Sequence, residues 1–378
     1  MKTISGAYAS AIIYDTQNEQ TGVEPYALAQ LKALCGNPAA ANAKIRVMPD
    51  VHPGKVCTIG LSMRLGTDRI LPELIGCDIG CGILMAKLRY SGAAEWQKLD
   101  KVIREQVPNG FALHKTACRT AEAFDFSRLS CAAHIDQKRA LLSLGTLGGG
   151  NHFIEADRDE NGGLYLLLHT GSRRLGKEVT DFYLAEGQKA LRKKQISVPY
   201  ELTYLEGELM QDYLHDLAVV QDFAAENRAA ILSAILRGMK WKAESLTSCI
   251  HNYIDFTART APVLRKGAIS AKCGEPVVIP INMRDGVILG TGLGNTDWNE
   301  SAPHGAGRIY KREEVKQHFT VSAFKKEMRG IYSSSVSAAT LDEAPFAYRS
   351  IGEIEAVIGD TVKIEKVLHP VYNFKAGK

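Results

Sequence analysis

The sequence predicts a mixed α/β fold of the α+β kind, β-sheets flanked by helices, and three features carry that prediction. Up to about Arg89, short apolar runs are separated by glycine and proline, the pattern of strands and loops. Between Lys177 and Leu236, apolar residues recur at spacings of three and four, the pattern of helices. After Pro276 the short strand-like runs return. No internal repeat, low-complexity tract or linker interrupts the chain, so one large domain over residues 1–378 is expected.

The elements follow in order. The stretch 4–13 is too short and serine-rich for a signal peptide and reads as a first strand. Residues 11–14, 45–48, 58–63 and 82–88 read as strands, with Asp50 and Asp78 in the loops between them. Helical spacing covers 94–106 and 134–143, and the apolar run 164–168 reads as a buried strand ending at His169. Ala, Leu, Glu and Arg fill the spacing in 177–194 and 206–236, two helices, with His251 beyond the second. Strands at 277–281 and 286–289 precede a glycine-rich loop that delivers His304. Helices are expected at 311–318 and 322–329, and the tail alternates Val362, Ile364 and Val367 before Pro370.

Composition narrows the function classes. With 45% hydrophobic and 23% charged residues in a chain of 378, a large core can form without disulfides. A formal charge of +4 is too mild to establish nucleic-acid binding. The basic runs at 192–194 and 325–326 can contact phosphate, but a solvated helix face is the commoner use of such runs. The eight cysteines lack a disulfide-framework spacing, which suits a reducing compartment, so a cytoplasmic location is expected. No stretch has the length of a membrane span, so no membrane partner is expected.

The chemistry lies in six islands, most of them set in glycine or other small residues: PDVHPG at 49–54, CDIGCG at 77–82, GGGNH at 148–152, LHTGSR at 168–173, HN at 251–252 and PHGAGR at 303–308. Thiolate, imidazole and carboxylate bind Zn or Mn, and glycine lets backbone pass close to a metal or phosphate. Asp78 and Cys81, three apart beside Gly80 and Gly82, can face one ion, or the thiolate can bridge two. A zinc knuckle from Cys77 and Cys81 is weaker, since no second cysteine pair follows. A lone cysteine is usually a small buried apolar residue and a lone histidine a hydrogen-bonded structural one. The joint occurrence of His152, His169 and His251 with Asp78 and Cys81 reverses that preference. His304, followed by Gly305, Gly307 and Arg308, sets an imidazole beside backbone donors and a guanidinium, an arrangement that suits a phosphate near a nucleophilic nitrogen as well as a plain surface turn. Asp50 between prolines is equally compatible with a turn cap.

Taken together, PDVHPG, DIGCG, GTLGGGNHFIE, HTGSR, HN, HGAGR, LDEAPFAY and a lysine near the end resemble the RtcB family of RNA ligases over nearly the whole chain. The resemblance implies a domain built around a deep metal and nucleotide pocket. It implies joining of an RNA 3′-phosphate or 2′,3′-cyclic phosphate to a 5′-hydroxyl with GTP and Mn²⁺, so that the partners are broken tRNA or rRNA and GTP. By motif, Asp78, Cys81 and His152 would hold one manganese and Cys81, His169 and His251 the other, with Zn²⁺ an alternative. His304 would become guanylylated with Asp50 assisting. Asn151, Phe153, Glu155, Asn252, Met283, Gly305, Ala306, Gly307 and Lys375 would hold the nucleotide, and Arg173 and Arg308 would contact phosphate or RNA. Because only neutral imidazole is a nucleophile, guanylylation is expected to fail at low pH. The chain departs from the family pattern at 280–286, which reads PINMRDG, and at Pro303; both bear on nucleotide preference. The competing readings are a two-metal phosphodiesterase or phosphatase, whose ligands would activate water, and a non-catalytic RNA-end binding protein.

Overall fold

The structure, a computed structural model, describes residues 1–16, 22–90, 92, 95–258 and 260–376. Two large sheets organise it. The first has six strands in the order Lys2–Ser5, Ser10–Ile13, Lys44–His52, Ile59–Arg64, Val263–Lys266 and Asn252–Asp255, antiparallel except where Ser10–Ile13 runs parallel to Lys44–His52. The second has seven antiparallel strands in the order Pro276–Asn282, Gly286–Gly292, Val362–Lys375, Phe153–Arg158, Leu164–Thr170, Gly82–Leu88 and Ala243–Ile250. A two-stranded ladder of Ala268–Ser270 with Ser301–Pro303 leads into His304.

Every residue of Leu164–Thr170 is buried, as a strand covered on both faces requires. Leu164, Leu166 and Leu168 pack with Ile154, Ala156, Ile231 and Ile235, the last two from the long helix Gly207–Met239. On the other face Tyr165 and Leu167 join Phe153, Ile83, Ile279 and Ile288. Burying each such large side chain contributes about 1.5–3 kcal/mol. The long helix ends at Lys240 in the left-handed region, φ 57°.

The antiparallel register places the site. Gly82 pairs with Thr170 on one side and with Ile250 on the other, and Phe153 pairs with both His169 and Lys375. Cys81, His152, His169, His251 and Lys375 therefore all lie at one end of five adjacent strands.

The structure corrects several expected boundaries. The stretch 4–13 forms parts of two strands around a turn. Asp50 lies inside Lys44–His52, not in a loop, because that strand runs on through Pro49 next to an interruption of its pairing. His169 lies within its strand, and a strand missed from sequence, Ala243–Ile250, stands between the long helix and His251. Pro370 does not end the tail: Val362–Lys375 continues through it at a register shift. Ala94, the expected start of the second-quarter helix, lies outside the described residues, and the helix covers Trp96–Gln106. No described helix is long and apolar enough to cross a membrane.

Candidate active site

At the strand ends, two groups of donor atoms form around one sulfur. The donor atoms of Asp78, Cys81 and His152 lie within 4.8 Å of one another, as do those of Cys81, His169 and His251. Cys81 Sγ is 3.5 Å from His152 Nε2 and 3.4 Å from His169 Nε2, while His169 Nε2 is 3.5 Å from His251 Nε2 and Asp78 Oδ2 is 2.9 Å from His152 Nε2.

Backbone carbonyls orient the rings. His152 Nδ1 donates to the Leu147 carbonyl at 2.9 Å and His169 Nδ1 to the Asn151 carbonyl at 3.2 Å. A carbonyl only accepts, so in both rings Nδ1 carries the hydrogen; in His169 Nε2 keeps its lone pair toward Cys81, the arrangement of a metal-ligating histidine, while His152 Nε2 faces both Cys81 and the Asp78 carboxylate. Burial drives His169 and His251 well below the ordinary imidazole range, so both are neutral. Burial would raise Asp78, but the hydrogen bond and charge of His152 override it and hold the carboxyl at about 2. Burial and the neighbouring Asp78 push the Cys81 thiol well above its usual range, which is the state a cation would reverse.

The loops that present these groups are tied together by two buried polar residues of the long helix. Asn227 accepts from the backbone N–H groups of Gly145 and Thr146 and donates to the Gly171 carbonyl. Arg228 donates to the carbonyls of Gly80 and Thr170, at 2.7 and 2.9 Å. Asn252 likewise fixes backbone: it donates to the Asp78 carbonyl and accepts from Gly267 N–H, and it lies outside the lining of the cavity described next.

A cavity opens beside the cluster. Asn151, Phe153, Glu155, Met283, Gly305, Ala306, Gly307, Arg308 and Lys375 line it together with His169 and His304. Asp50 is fully buried behind His304, its Oδ2 accepting from His304 Nδ1 at 2.6 Å and from the His304 backbone N–H at 3.1 Å. In the neutral ring Nδ1 therefore carries the hydrogen and Nε2 the lone pair. The His304 ring lies 4.7 Å from that of His251. Gly307 makes this close approach possible: its φ is +74°, and a Cβ there would stand 2.3 Å from the Asp50 carbonyl oxygen.

Residues not singled out from sequence complete the wall: His52, Asn282, Arg312, Glu343, Tyr348 and Asn373. Glu343 and Tyr348 sit within LDEAPFAY and His52 within PDVHPG, so the motifs contained the signal. Burial holds His52 down to about 4. Lys375 Nζ pairs with Glu343 at 2.5 Å and lies 5.5 Å over the Phe153 ring. The Arg308 guanidinium is engaged by Tyr348, Glu343 and the Asp342 carbonyl, so it shapes the wall instead of standing open to a phosphate. Burial pushes Glu155 up to about 7 against the hydrogen bond from Asn373, and burial with the neighbouring Glu155 raises Asp157 well above the carboxylate range.

Burial would raise Glu343, but Lys375, Arg312 and Arg308 hold it at about 2 instead of 4.5. A depressed folded-state value stabilises the protein above the unfolded value and loses that contribution as pH falls through the folded one. Glu343→Gln is expected to melt below the native chain at pH 7, with the gap closing between about pH 4.5 and 2; a gap in Tm constant over that window contradicts this.

Arg173 stands on the other side of the cluster. It adopts φ 57°, and its guanidinium packs against the glycine run and bonds Thr146 Oγ1 and the Gly110 carbonyl. Gly148, at φ +83°, leaves the room: a Cβ there would be 1.9 Å from Arg173 Nη1. Gly148→Ala is expected to displace that guanidinium and to cost about 1–3 kcal/mol, read as a lowered Tm; an unchanged Tm contradicts it.

Comparison with known proteins gives the class. A family profile described as tRNA-splicing ligase RtcB matches residues 30–129 and 114–376. The chain is 31% identical over 370 residues to the RNA-splicing ligase RtcB of Escherichia coli K12, with 86% of this chain and 88% of the relative covered. It is 28% identical to the tRNA-splicing ligase RtcB of Nanoarchaeum equitans and 26% identical to that of Thermococcus kodakarensis, each over 82% of this chain and 83% of the relative. A mixed α/β fold with this cluster, matched to ligases over most of its length, is an enzyme of the ligase class. More particularly, the chain belongs to the RtcB family of RNA ligases.

Proposed function

We propose that this chain joins RNA 3′-phosphate or 2′,3′-cyclic phosphate ends to 5′-hydroxyl ends with GTP, through GMP carried on His304. The observation that carries the reading is the 2.6 Å Asp50–His304 pair on the wall of the cavity, with His304 packed on His251 of the donor cluster. The whole chain would act as one RtcB-like ligase domain. The tRNA-splicing relatives point to tRNA, and we read the substrate as tRNA or rRNA with broken ends. The eight cysteines stand as free thiols, in keeping with a cytoplasmic enzyme.

The donor set would suit two cations, with the Cys81 sulfur belonging to both groups. Asp78, Cys81 and His152 would hold one Mn²⁺ and Cys81, His169 and His251 the other, and the same Cys and His donors accept Zn²⁺. Bound metal would neutralise phosphate oxygens.

The protein's own groups do the rest. His304 Nε2 attacks the α-phosphorus of GTP, forming a P–N bond as the P–O bond to pyrophosphate breaks, and Asp50 stabilises the Nδ1–H side of the ring as charge develops. Gly305, Ala306 and Gly307 bring backbone close to the phosphates, while Asn151 and Arg173 flank the metal side. Phe153, Glu155, Met283 and Lys375 would hold the nucleoside, and Asn252 would support it by fixing the Asp78 loop. A cyclic end is first opened by water to the 3′-phosphate. That phosphate then takes the GMP from His304, and the 5′-hydroxyl displaces GMP to close the strand.

The test is ligation of two RNA fragments bearing a 3′-phosphate and a 5′-hydroxyl, with GTP and Mn²⁺. Joined product is expected from the native chain and none from His304→Ala; joining that needs neither GTP nor His304 would overturn the reading.

A further inference from the structure

A second depression lies on the far side of the glycine loop from the nucleotide cavity. Asn151 faces the cavity, while its neighbours Gly149 and Gly150 face the depression, which reaches Asp78. Four cations line it, Arg139, Arg173, Arg174 and Lys177, against one carboxylate, Asp78. Arg174 and Lys177 pair with Glu178 and Asp181 along their own helix, but such exposed pairs are weak and open to exchange for phosphate.

At the rim stands Phe111. It is 92% exposed, the most exposed large apolar side chain among the described residues. Its loop is nevertheless held: Gly110 N–H donates to the Gly148 carbonyl at 2.9 Å, the Gly110 carbonyl accepts from Arg173, and His114 N–H donates to the Leu142 carbonyl at 3.0 Å. A pinned loop that presents an unburied aromatic ring beside a cationic groove has the composition of a single-stranded nucleic-acid platform, in which rings stack on bases and cations follow the backbone.

We infer that this cleft binds the single-stranded phosphate-bearing end of the RNA, with Phe111 stacked on a base near the terminus and Arg139, Arg174 and Lys177 holding the backbone. The inference rests on the ligase reading above for the identity of the strand. The two depressions then divide the substrates. Nucleotide occupies the His169–His304 side, and the RNA end reaches the donor cluster from the Asp78 side, on either side of the glycine loop.

The experiment is an anisotropy titration of a short, fluorophore-labelled single-stranded RNA with a 3′-phosphate, in Mn²⁺ and over a range of salt. Phe111→Ala removes no core contact and is expected to weaken binding between about 5- and 150-fold, the loss of one base–aromatic stack. Phe111→Trp is expected to bind at least as well as the native chain. Arg139→Ala with Arg174→Ala is expected to flatten the salt dependence by a slope of about 0.7 for each cation lost. Native-like binding by Phe111→Ala, or no binding by the native chain, overturns the inference. Covalent labelling by GTP without RNA separates the two claims. Label together with RNA binding indifferent to Phe111 keeps the ligase reading and removes the cleft. Phe111-dependent binding without label does the reverse.

Discussion

Cys81→Ala is expected to abolish both proposed metal sites, whereas His152→Ala and His251→Ala should each abolish one. Its sulfur is the only donor atom common to the two groups, 3.5 Å from His152 Nε2 on one side and 3.4 Å from His169 Nε2 on the other. Losing a group that merely orients a ligand costs about 10–100-fold in metal affinity. Losing a shared ligand should exceed about 100-fold at both sites. Metal content per chain after dialysis against Mn²⁺, by mass spectrometry of the metal, reads this directly. Two ions retained by Cys81→Ala would show that the thiol is a buried apolar group and no ligand.

The second large effect is at Asp50. Its Oδ2 accepts from both Nδ1 and the backbone N–H of His304, so one carboxylate oxygen fixes the ring's tautomer and orientation and faces the charge the ring gains. Asp50→Ala, which removes the acceptor, is expected to slow formation of the His304–GMP bond by about 10³–10⁴-fold, the scale on which a catalytic histidine without its aspartate partner fails. GTP binding should change far less, because Asp50 lies behind His304 and does not line the cavity. Single-turnover labelling with α-labelled GTP, set beside an equilibrium binding measurement, distinguishes the two. A slowing of less than about tenfold would mean that Asp50 only packs.

The sequence made the centre of this site legible because its chemistry is local. Asp78 and Cys81 share a turn, His152 follows three glycines, and each island carries its own composition. Strands were legible where apolar runs were short and bounded, so Gly82–Leu88 is found as expected. Asp50 was misplaced into a loop because proline on both sides suggests a turn, whereas the strand tolerates Pro49 next to an interruption of its pairing. Ala243–Ile250 was hidden because four of its eight residues are polar and several are exposed, as at a sheet edge. Asn227 and Arg228 were invisible for another reason. Polar residues on a long helix ordinarily face water, and only the packing shows these two bonding the loops that present Asp78 and His169. The Lys375–Glu343 pair, 32 residues apart in sequence, likewise exists only once the last strand has joined the sheet.

The most direct test of the account is incubation of the purified chain with α-labelled GTP and Mn²⁺, followed by denaturation and detection of protein-bound label. The account predicts label that is acid-labile, as a phosphorus–nitrogen bond to histidine is, and absent from His304→Ala. No label on the native chain, or label that persists in His304→Ala, would contradict it.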